Sequence, residues 1–552
     1  MVSNSIDENF LVDSDEQRKL FKKVIDKGFD FVNGKIRGNK AINYKSIPEL
    51  QEIVSNFDDT KSSLSKDQIL KILDDVGNLS VSQSDLGYIA FPDSGNAVPA
   101  MMAEIYSKFL NQNLTGVDRS APLATFMEIQ LIEWLRGLIG YESKPFKDIN
   151  SLSEVSGMCT TGGHMSNHIA IISALNEKFP EVKQNGLTKL GKTPKIILAD
   201  AISHYSFSSA MHHLGLGQEN ILKAKSTEKF TTDIEDVKKI IKENNQNDEI
   251  FMIVAVAGNS RTSSIDSISE LSKVCRDNNI WLHVDACHGG SLLFSQKLKE
   301  KYLSGIELAD SVSIDPHKGM FVTYPLSYVL FRKRDILTHF TRYEEKVRSG
   351  DSWELGYITP FYGSRGFESF KLWLMIKSFG IEYLAEVVEE REKNAKMITE
   401  FLVQTKLFSL FNKMELYRLV FIFLPENIKS LWRGVDLKDT VKDNLKKCID
   451  SYTHKLNQLL YEEGEVVLDE FKLPDISNSS NLNLTSEKFG VMSISIGNPL
   501  FNKEILENNV QHVEKCAKIL EENYRKDILN ILEGSNFIED EEEVHYGPAG
   551  WN

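Results

Sequence analysis

The sequence predicts an α/β protein built on a mainly parallel sheet with helices on both faces, on three observations. Four apolar runs, KIILAD, EIFMIVAVAG, IWLHVDA and LSYVLFRK, lack the apolar-polar alternation of a half-exposed strand, and a fifth, DSVSID, alternates small and apolar residues and reads as a buried strand. Helical patterns such as SISELSKVCRDNN separate them, the order expected of crossover connections between parallel strands. With 552 residues, 41% of them hydrophobic and 26% charged, the chain is long and apolar enough to bury a large core.

The elements fall into three regions. Residues 1–115 read as a helical segment, with KSIPELQEIVSNF and KDQILKILDDVGN as amphipathic helices, too thin to stand as an independent domain. Residues 116–390 hold the five runs and form the large domain. Residues 391–552 form a smaller α+β domain, in which the long pattern EYLAEVVEEREKNAKMITEFL leads to strands in YRLVFIFLP, EVVLDEF and VMSISIG. The closing EDEEEVHYGPAGWN is an acidic run with a Gly/Pro tail and reads as a solvated terminus.

Composition narrows the function classes. A net charge of −15 argues against nucleic acid or an anionic membrane surface as partner, because both recruit basic patches. No apolar run approaches 18 residues, and the start MVSNSIDENFLVDSDEQRKLF lacks a basic end followed by an apolar core, so a cytoplasmic protein is expected. The cysteines at 159, 275, 287, 448 and 516 show neither a disulfide framework nor a zinc spacing; they read as small buried residues in a reducing compartment.

In open α/β sheets ligands bind beyond the carboxyl ends of strands, so polar residues there carry most weight. Asp285 follows IWLHV, His317 and Lys318 follow SVSID, His204 follows KIILAD, and Ser260 follows EIFMIVAVAG. Earlier, CTTGGHMSNHIAIISAL sets Gly162, Gly163 and His164 at a helix start, where backbone N–H groups and the helix dipole suit a phosphate. A buried lysine, a carboxylate on a neighbouring strand end, an imidazole and a phosphate cradle are the parts that hold pyridoxal phosphate. Asp266, which precedes the SISEL pattern, reads as a helix N-cap.

These motifs, with FPDSGNAVPAMMAEIYSKFLNQN, SAPLATFMEIQLIEWLRGLIGYE, YGSRGFESFKLWLMIKSFG and GNPLFNKEIL, occur in family order over roughly four-fifths of the chain. The chain resembles the group II pyridoxal-phosphate-dependent amino acid decarboxylases, which include glutamate, aromatic amino acid, tyrosine and histidine decarboxylases. The resemblance implies a fold type I transferase-like architecture with a seven-stranded, mainly parallel sheet. It implies pyridoxal 5'-phosphate as cofactor, no metal, an L-amino acid as substrate, an amine and CO2 as products, and a homodimer whose active sites borrow residues across the subunits. Two alternative outcomes are a carbon-carbon lyase or aldehyde-forming oxidative decarboxylase, and a non-catalytic relative that acts as a binding protein.

The resemblance also assigns residues. Lys318 matches the lysine that binds the cofactor covalently, and burial is expected to lower its pKa so that it can attack as the neutral amine. Asp285 matches the carboxylate paired with the pyridine nitrogen, and His204 the imidazole stacked on the ring. Gly163 and His164 sit at the phosphate, although His164 departs from the usual small or hydroxyl residue. His317 resembles a phosphate-side contact, and Ser260 matches a threonine near the ring. Tyr343, in TRYEEKVRSGDSWELGY, matches a loop tyrosine that returns a proton to the substrate carbon; its loss in the family accompanies aldehyde-forming chemistry. Where the glutamate branch carries a carboxylate-binding arginine before Asn-Pro, this chain has Ser493. Arg365 then either completes the pocket or forms a structural ion pair.

Overall fold

A computed structural model of the chain describes residues 10–538 other than positions 12, 36, 37, 39, 59, 62, 94, 246 and 362. The acidic tail EDEEEVHYGPAGWN lies outside the described residues.

The amino-terminal region is helical: α1 (Asp15–Val32), α2 (Ile47–Ser55), α3 (Lys66–Leu79) and α4 (Val98–Leu110). Local sequence starts α2 and α3, because Ser46 with Glu49 and Ser65 with Gln68 form reciprocal capping boxes that satisfy orphan N–H groups. α5 (Pro122–Ile139) begins on proline and ends at Gly140, whose φ of 99° closes the last turn in the left-handed region. Unlike α1 to α3, which bury no residue fully, α5 is buried along most of its length.

Seven strands follow: β1 (Gly157–Thr160), β2 (Lys195–Ala199), β3 (Ile221–Ala224), β4 (Ile250–Val256), β5 (Trp281–Ala286), β6 (Ser311–Ile314) and β7 (Ser327–Phe331). They form one sheet in the order β1-β7-β6-β5-β4-β2-β3. β2, β3, β4, β5 and β6 pair in parallel, whereas β7 runs antiparallel to both β1 and β6. The sheet is therefore mainly parallel, as expected. Every residue of β4, β6 and β7 is buried, which requires cover on both faces and explains the apolar runs of β4 and β7 and the small serines that alternate with Val312 and Ile314 in β6. β2, β4, β5 and β6 point their carboxyl ends to one edge, where the loops at 200–205, 257–264 and 287–288 and the turn at 315–318 meet.

A second sheet of four antiparallel strands has the order β10-β11-β9-β8, with β8 (Phe408–Leu410), β9 (Arg418–Phe423), β10 (Asp469–Pro474) and β11 (Lys488–Ser495). The helix Ser369–Gln404 leads into it and runs through position 390; its one break is at Gly380, with φ 76° and ψ 162°. Helices Asp439–Glu463 and Lys503–Leu532 complete this part. One large hydrophobic core spans both sheets, and a small cluster of Ala41, Ile42, Tyr88, Ala90 and Val467 ties the amino-terminal region to β10.

Asp266 is not the N-cap expected of it. Helix Ile268–Asp277 starts from Ser267 without a side-chain cap, and Asp266 instead accepts from Val256 N (2.8 Å), Thr232 N (2.7 Å) and Thr232 Oγ1 (2.9 Å). A buried carboxylate gains more from three donors than from one solvated cap.

Candidate active site

The parallel strand ends open onto a cavity of about 260 Å³ whose lining includes Gly163, His164, His204, Ser260, Asp285, His317 and Lys318. Seven of the eight residues assigned from sequence thus meet in one place. Tyr343 is not among the lining residues. It is 51% exposed, precedes the short helix Glu344–Ser349 and packs on Tyr357 with ring centroids 4.6 Å apart.

Lys318 stands one turn beyond β6. Its Nζ lies 2.9 Å from Asp315 Oδ2, and Asp315 Oδ1 accepts from Ser327 Oγ at 2.6 Å. Burial lowers the lysine pKa, as expected, but the charges of Asp315, Cys287 and Asp93 outweigh it and hold the ammonium well above its ordinary value. The expected lowering is therefore reversed, because the motif brings its own counter-ion. Burial likewise raises Asp315, yet Lys318 and then His317 keep that carboxyl below its usual range.

Asp285, near the end of β5, is buried and accepts from Asn167 Nδ2 (3.0 Å) and Cys287 N (3.1 Å). Behind it runs a hydrogen-bond chain with a single consistent polarity. Trp281 Nε1 donates to Ser311 Oγ (2.8 Å), which lies 2.8 Å from His283 Nδ1. His283 Nε2 faces Asn167 Oδ1 (3.1 Å), and Asn167 Nδ2 donates to both Asp285 and Ser206 Oγ (2.9 Å). An indole donates only and an amide oxygen accepts only, so Ser311 donates to Nδ1 and His283 carries its proton on Nε2. Burial lowers His283 to about 4, which keeps it neutral in this role.

Ser206 links this chain to His204: its backbone N–H donates to His204 Nδ1 at 3.2 Å. Burial, followed by the charge of Lys318, lowers His204 to about 4. The imidazole is then neutral at physiological pH, with Nδ1 occupied as an acceptor.

Across the cavity α6 (Gly163–Lys178) begins at Gly163. A Cβ there would meet Cys287 Sγ at 2.5 Å and Asp315 Oδ2 at 2.8 Å, so only glycine lets this helix start so close to the lysine motif. His164 stacks on His168 with centroids 4.6 Å apart, and burial, then His168 and His213, lowers its pKa. His317 is held from the interior: Nδ1 lies 2.6 Å from the Leu326 carbonyl, and the ring packs against Tyr324. Ser260 turns its carbonyl to the guanidinium of Arg418.

Arg365 is not a lining residue. Its guanidinium makes a two-pronged pair with Glu128 at 2.8 and 2.6 Å, and Ser369 Oγ adds to the same carboxylate at 2.9 Å. Ser493 is buried on β11 opposite Asp469, and its hydroxyl has no hydrogen-bond partner among the described residues. Sequence reasoning missed Arg418, on the neighbouring strand β9. Arg418 reaches Ser495 Oγ (2.8 Å), Ala90 O (2.7 Å), Asp469 Oδ2 (2.9 Å) and Ser260 O, which engages all three guanidinium nitrogens and four of their five N–H donors within the protein. Asn167, Cys287, His288 and Tyr324 also line the cavity without having been assigned from sequence. An adjoining cavity of about 310 Å³ shares Ile202, His204 and Ser260 with the first and adds Lys223, Arg261 and Lys488.

Residues 54–423 match the family model described as the pyridoxal-dependent decarboxylase conserved domain. An aspartate 1-decarboxylase of Aliivibrio fischeri is 27% identical over 83% of this chain and 85% of its own, and the cysteine sulfinic acid decarboxylase of Homo sapiens is 26% identical over 76% and 83%. An aromatic-L-amino-acid decarboxylase of Bacillus atrophaeus is 26% identical over 67% of this chain and 72% of its own. Crystal structures share the fold. Mouse CSAD superposes with a TM-score of 0.79 at 22% identity, covering 92% of this chain and 99% of that one. The Oryza sativa TDC structure with PLP and tryptamine does so at 0.77 and 16%, covering 93% and 99%. The match over two-thirds of the chain, on a fold of this kind, makes the protein a member of the pyridoxal-dependent decarboxylase family, a carboxy-lyase that uses pyridoxal phosphate.

Proposed function

We propose that the protein decarboxylates an L-amino acid other than glutamate to the corresponding amine, as a cytoplasmic homodimer. What supports the reading most is that Lys318, Asp285, His204 and the start of α6 line one cavity. These residues fit pyridoxal phosphate: α6 starts at the cavity beside Gly162, where a Cβ would meet nothing within 4 Å, so an anion can approach the helix N–H groups, and Asp285 is a carboxylate held in place by two donors. The bound cofactor supplies an electron sink for the bond between Cα and the carboxylate. Lys318 anchors it. Asp285 holds a proton on the pyridine nitrogen, and the Asn167–His283 chain keeps that carboxylate aimed. His204, neutral, presents a flat face to the ring and a donor to the departing carboxylate. His164, His317 and Ser260 border the cofactor, and Tyr343 is the proton donor.

The substrate reading rests on cations. Glutamate recognition by a guanidinium at 493 is not available, and Arg418 next door already has four of its five N–H donors engaged, so a charge-assisted fork of about 1.5–3 kcal/mol is missing. A second reading has the adjoining cavity behind it. Lys223, Arg261 and Lys488 there outnumber the carboxylate of Asp200 and suit an acidic side chain, in keeping with relatives named for aspartate and cysteine sulfinic acid. Kinetics on glutamate, aspartate, cysteine sulfinate, tyrosine, tryptophan and a diamino acid, with CO2, amine, aldehyde and peroxide measured together, separate these readings. Glutamate as best substrate overturns the first, and a neutral aromatic substrate overturns the second.

A further inference from the structure

Far along the chain from the cofactor motifs, three ligand-type atoms converge. Glu463 is the last residue of helix Asp439–Glu463, and His512 and Cys516 stand one turn apart on helix Lys503–Leu532. His512 Nε2 lies 3.0 Å from Glu463 Oε2, Cys516 Sγ lies 3.3 Å from the same oxygen, and Sγ and Nε2 are 3.9 Å apart. Around a tetrahedral Zn²⁺ at ordinary ligand distances, the N–O, S–O and N–S separations come to about 3.3, about 3.5 and about 3.6 Å. Each observed edge is within about 0.4 Å of that figure. The other imidazole nitrogen, Nδ1, lies 3.4 Å from Glu465 Oε2. A metal-bound histidine is commonly oriented by a carboxylate in this way, which leaves Nε2 for the ion.

We propose that Glu463, His512 and Cys516 supply three ligands to a borderline-soft divalent ion of the Zn²⁺ class, with the fourth tetrahedral position left to water. The donor set decides the class. Thiolate and imidazole suit Zn²⁺ or Co²⁺, whereas Mg²⁺ and Ca²⁺ require oxygen ligands throughout. The ion takes the thiolate, so binding releases the Cys516 proton to solvent as the S–metal bond forms. No spacing rule detects the site, because 48 residues, among them the strands β10 and β11, lie between Glu463 and His512 in sequence.

Its position suggests what the ion does. Gly464 O, one residue past Glu463, accepts from Ala41 N at 2.9 Å, and Val467 N donates to Gly87 O at 2.9 Å. The ion would clamp two carboxyl-terminal helices at the loop that holds the amino-terminal segment.

The test uses the full-length protein with its cofactor bound, dialysed against a chelator and then equilibrated with Zn²⁺ alone. One Zn²⁺ is expected per wild-type chain, with at least tenfold weaker retention in Cys516→Ser and in His512→Gln. Glu463→Gln changes a half-exposed residue, so it tests the same loss in a chain whose packing is intact. With Co²⁺, a thiolate charge-transfer band is expected in the spectrum of wild type minus Cys516→Ser, and Zn²⁺ should raise the melting temperature of wild type only. Equal Zn²⁺ retention by wild type and Cys516→Ser, or no stoichiometric retention at all, overturns the proposal.

Discussion

Lys318 carries its charge in a pair with Asp315, yet a lysine must shed a proton before it can attack a carbonyl. The pair therefore sets the pH at which the empty protein captures its cofactor. Removing the carboxylate in Asp315→Asn takes away the largest influence that raises the lysine, so the neutral amine becomes available at lower pH. The rate of pyridoxal phosphate uptake, followed by absorbance, should keep its sigmoidal pH profile and move acid-ward by about 1–3 pH units. An unmoved profile would mean that Asp315 only shapes the turn. Lys318→Ala should fold and lose all turnover, and reduction of the wild-type holoenzyme with borohydride followed by peptide mapping should find the cofactor on Lys318 alone. At this scale the sequence was most legible where a residue type stands at a strand end: Lys318, Asp285 and His204 all line the cavity. It was least legible where function depends on which atoms touch. Asp315 was visible inside the motif, but nothing in the chain announces a 2.9 Å contact that reverses the effect of burial on the lysine.

Strand parity explains the next level. His283 and Asp285 are two apart on β5 and so share a face, and Asn167, on the second turn of α6 and more than a hundred residues earlier in the chain, bridges them. Asn167→Leu keeps the volume but leaves His283 Nε2–H with only the longer contact to Ser313 Oγ at 3.3 Å and Asp285 with one donor instead of two. Urea unfolding should show a loss of about 1–3 kcal/mol. Asp285→Asn should retain much of the cofactor and lose most turnover, since an amide cannot keep the pyridine nitrogen protonated; near-normal turnover would make Asp285 structural. The elements themselves were legible in proportion to their length and apolarity. β2, β4, β5, β6 and β7 are the five runs read from the sequence, the four-residue β6 through its alternation of small and apolar residues before the lysine motif, whereas β1, β3 and β8 are three or four residues long and offer no periodicity to read. The antiparallel direction of β7 was equally hidden, because a buried strand looks alike in either direction.

The whole molecule presents an unusual amount of apolar surface at its amino-terminal end. Phe29 (68%), Val98 (70%) and Met102 (60%) are exposed on α1 and α4, and Tyr106 and Phe109 lie on α4 beside them. A monomer rarely leaves such a surface in water, so a second copy is the expected cover. Tyr343 fits the same picture, since it faces solvent and is absent from the lining of its own chain's cavity. If it serves the neighbouring subunit, inactive variants must complement one another. In a mixed dimer of Lys318→Ala and Tyr343→Phe, one site combines both defects and the other has neither, because lysine and tyrosine come from different chains. If the tyrosine served its own chain, each site would keep one defect and neither would work. Refolding the two variants together in equal amounts makes half the dimers mixed, each with one good site, so about a quarter of wild-type amine formation should return. Sedimentation should show dimers throughout, and Phe29→Asp with Met102→Glu should shift them toward inactive monomers. An active monomer sinks the dimer, and no recovery of amine formation in the mixture returns Tyr343 to its own chain or to a structural role.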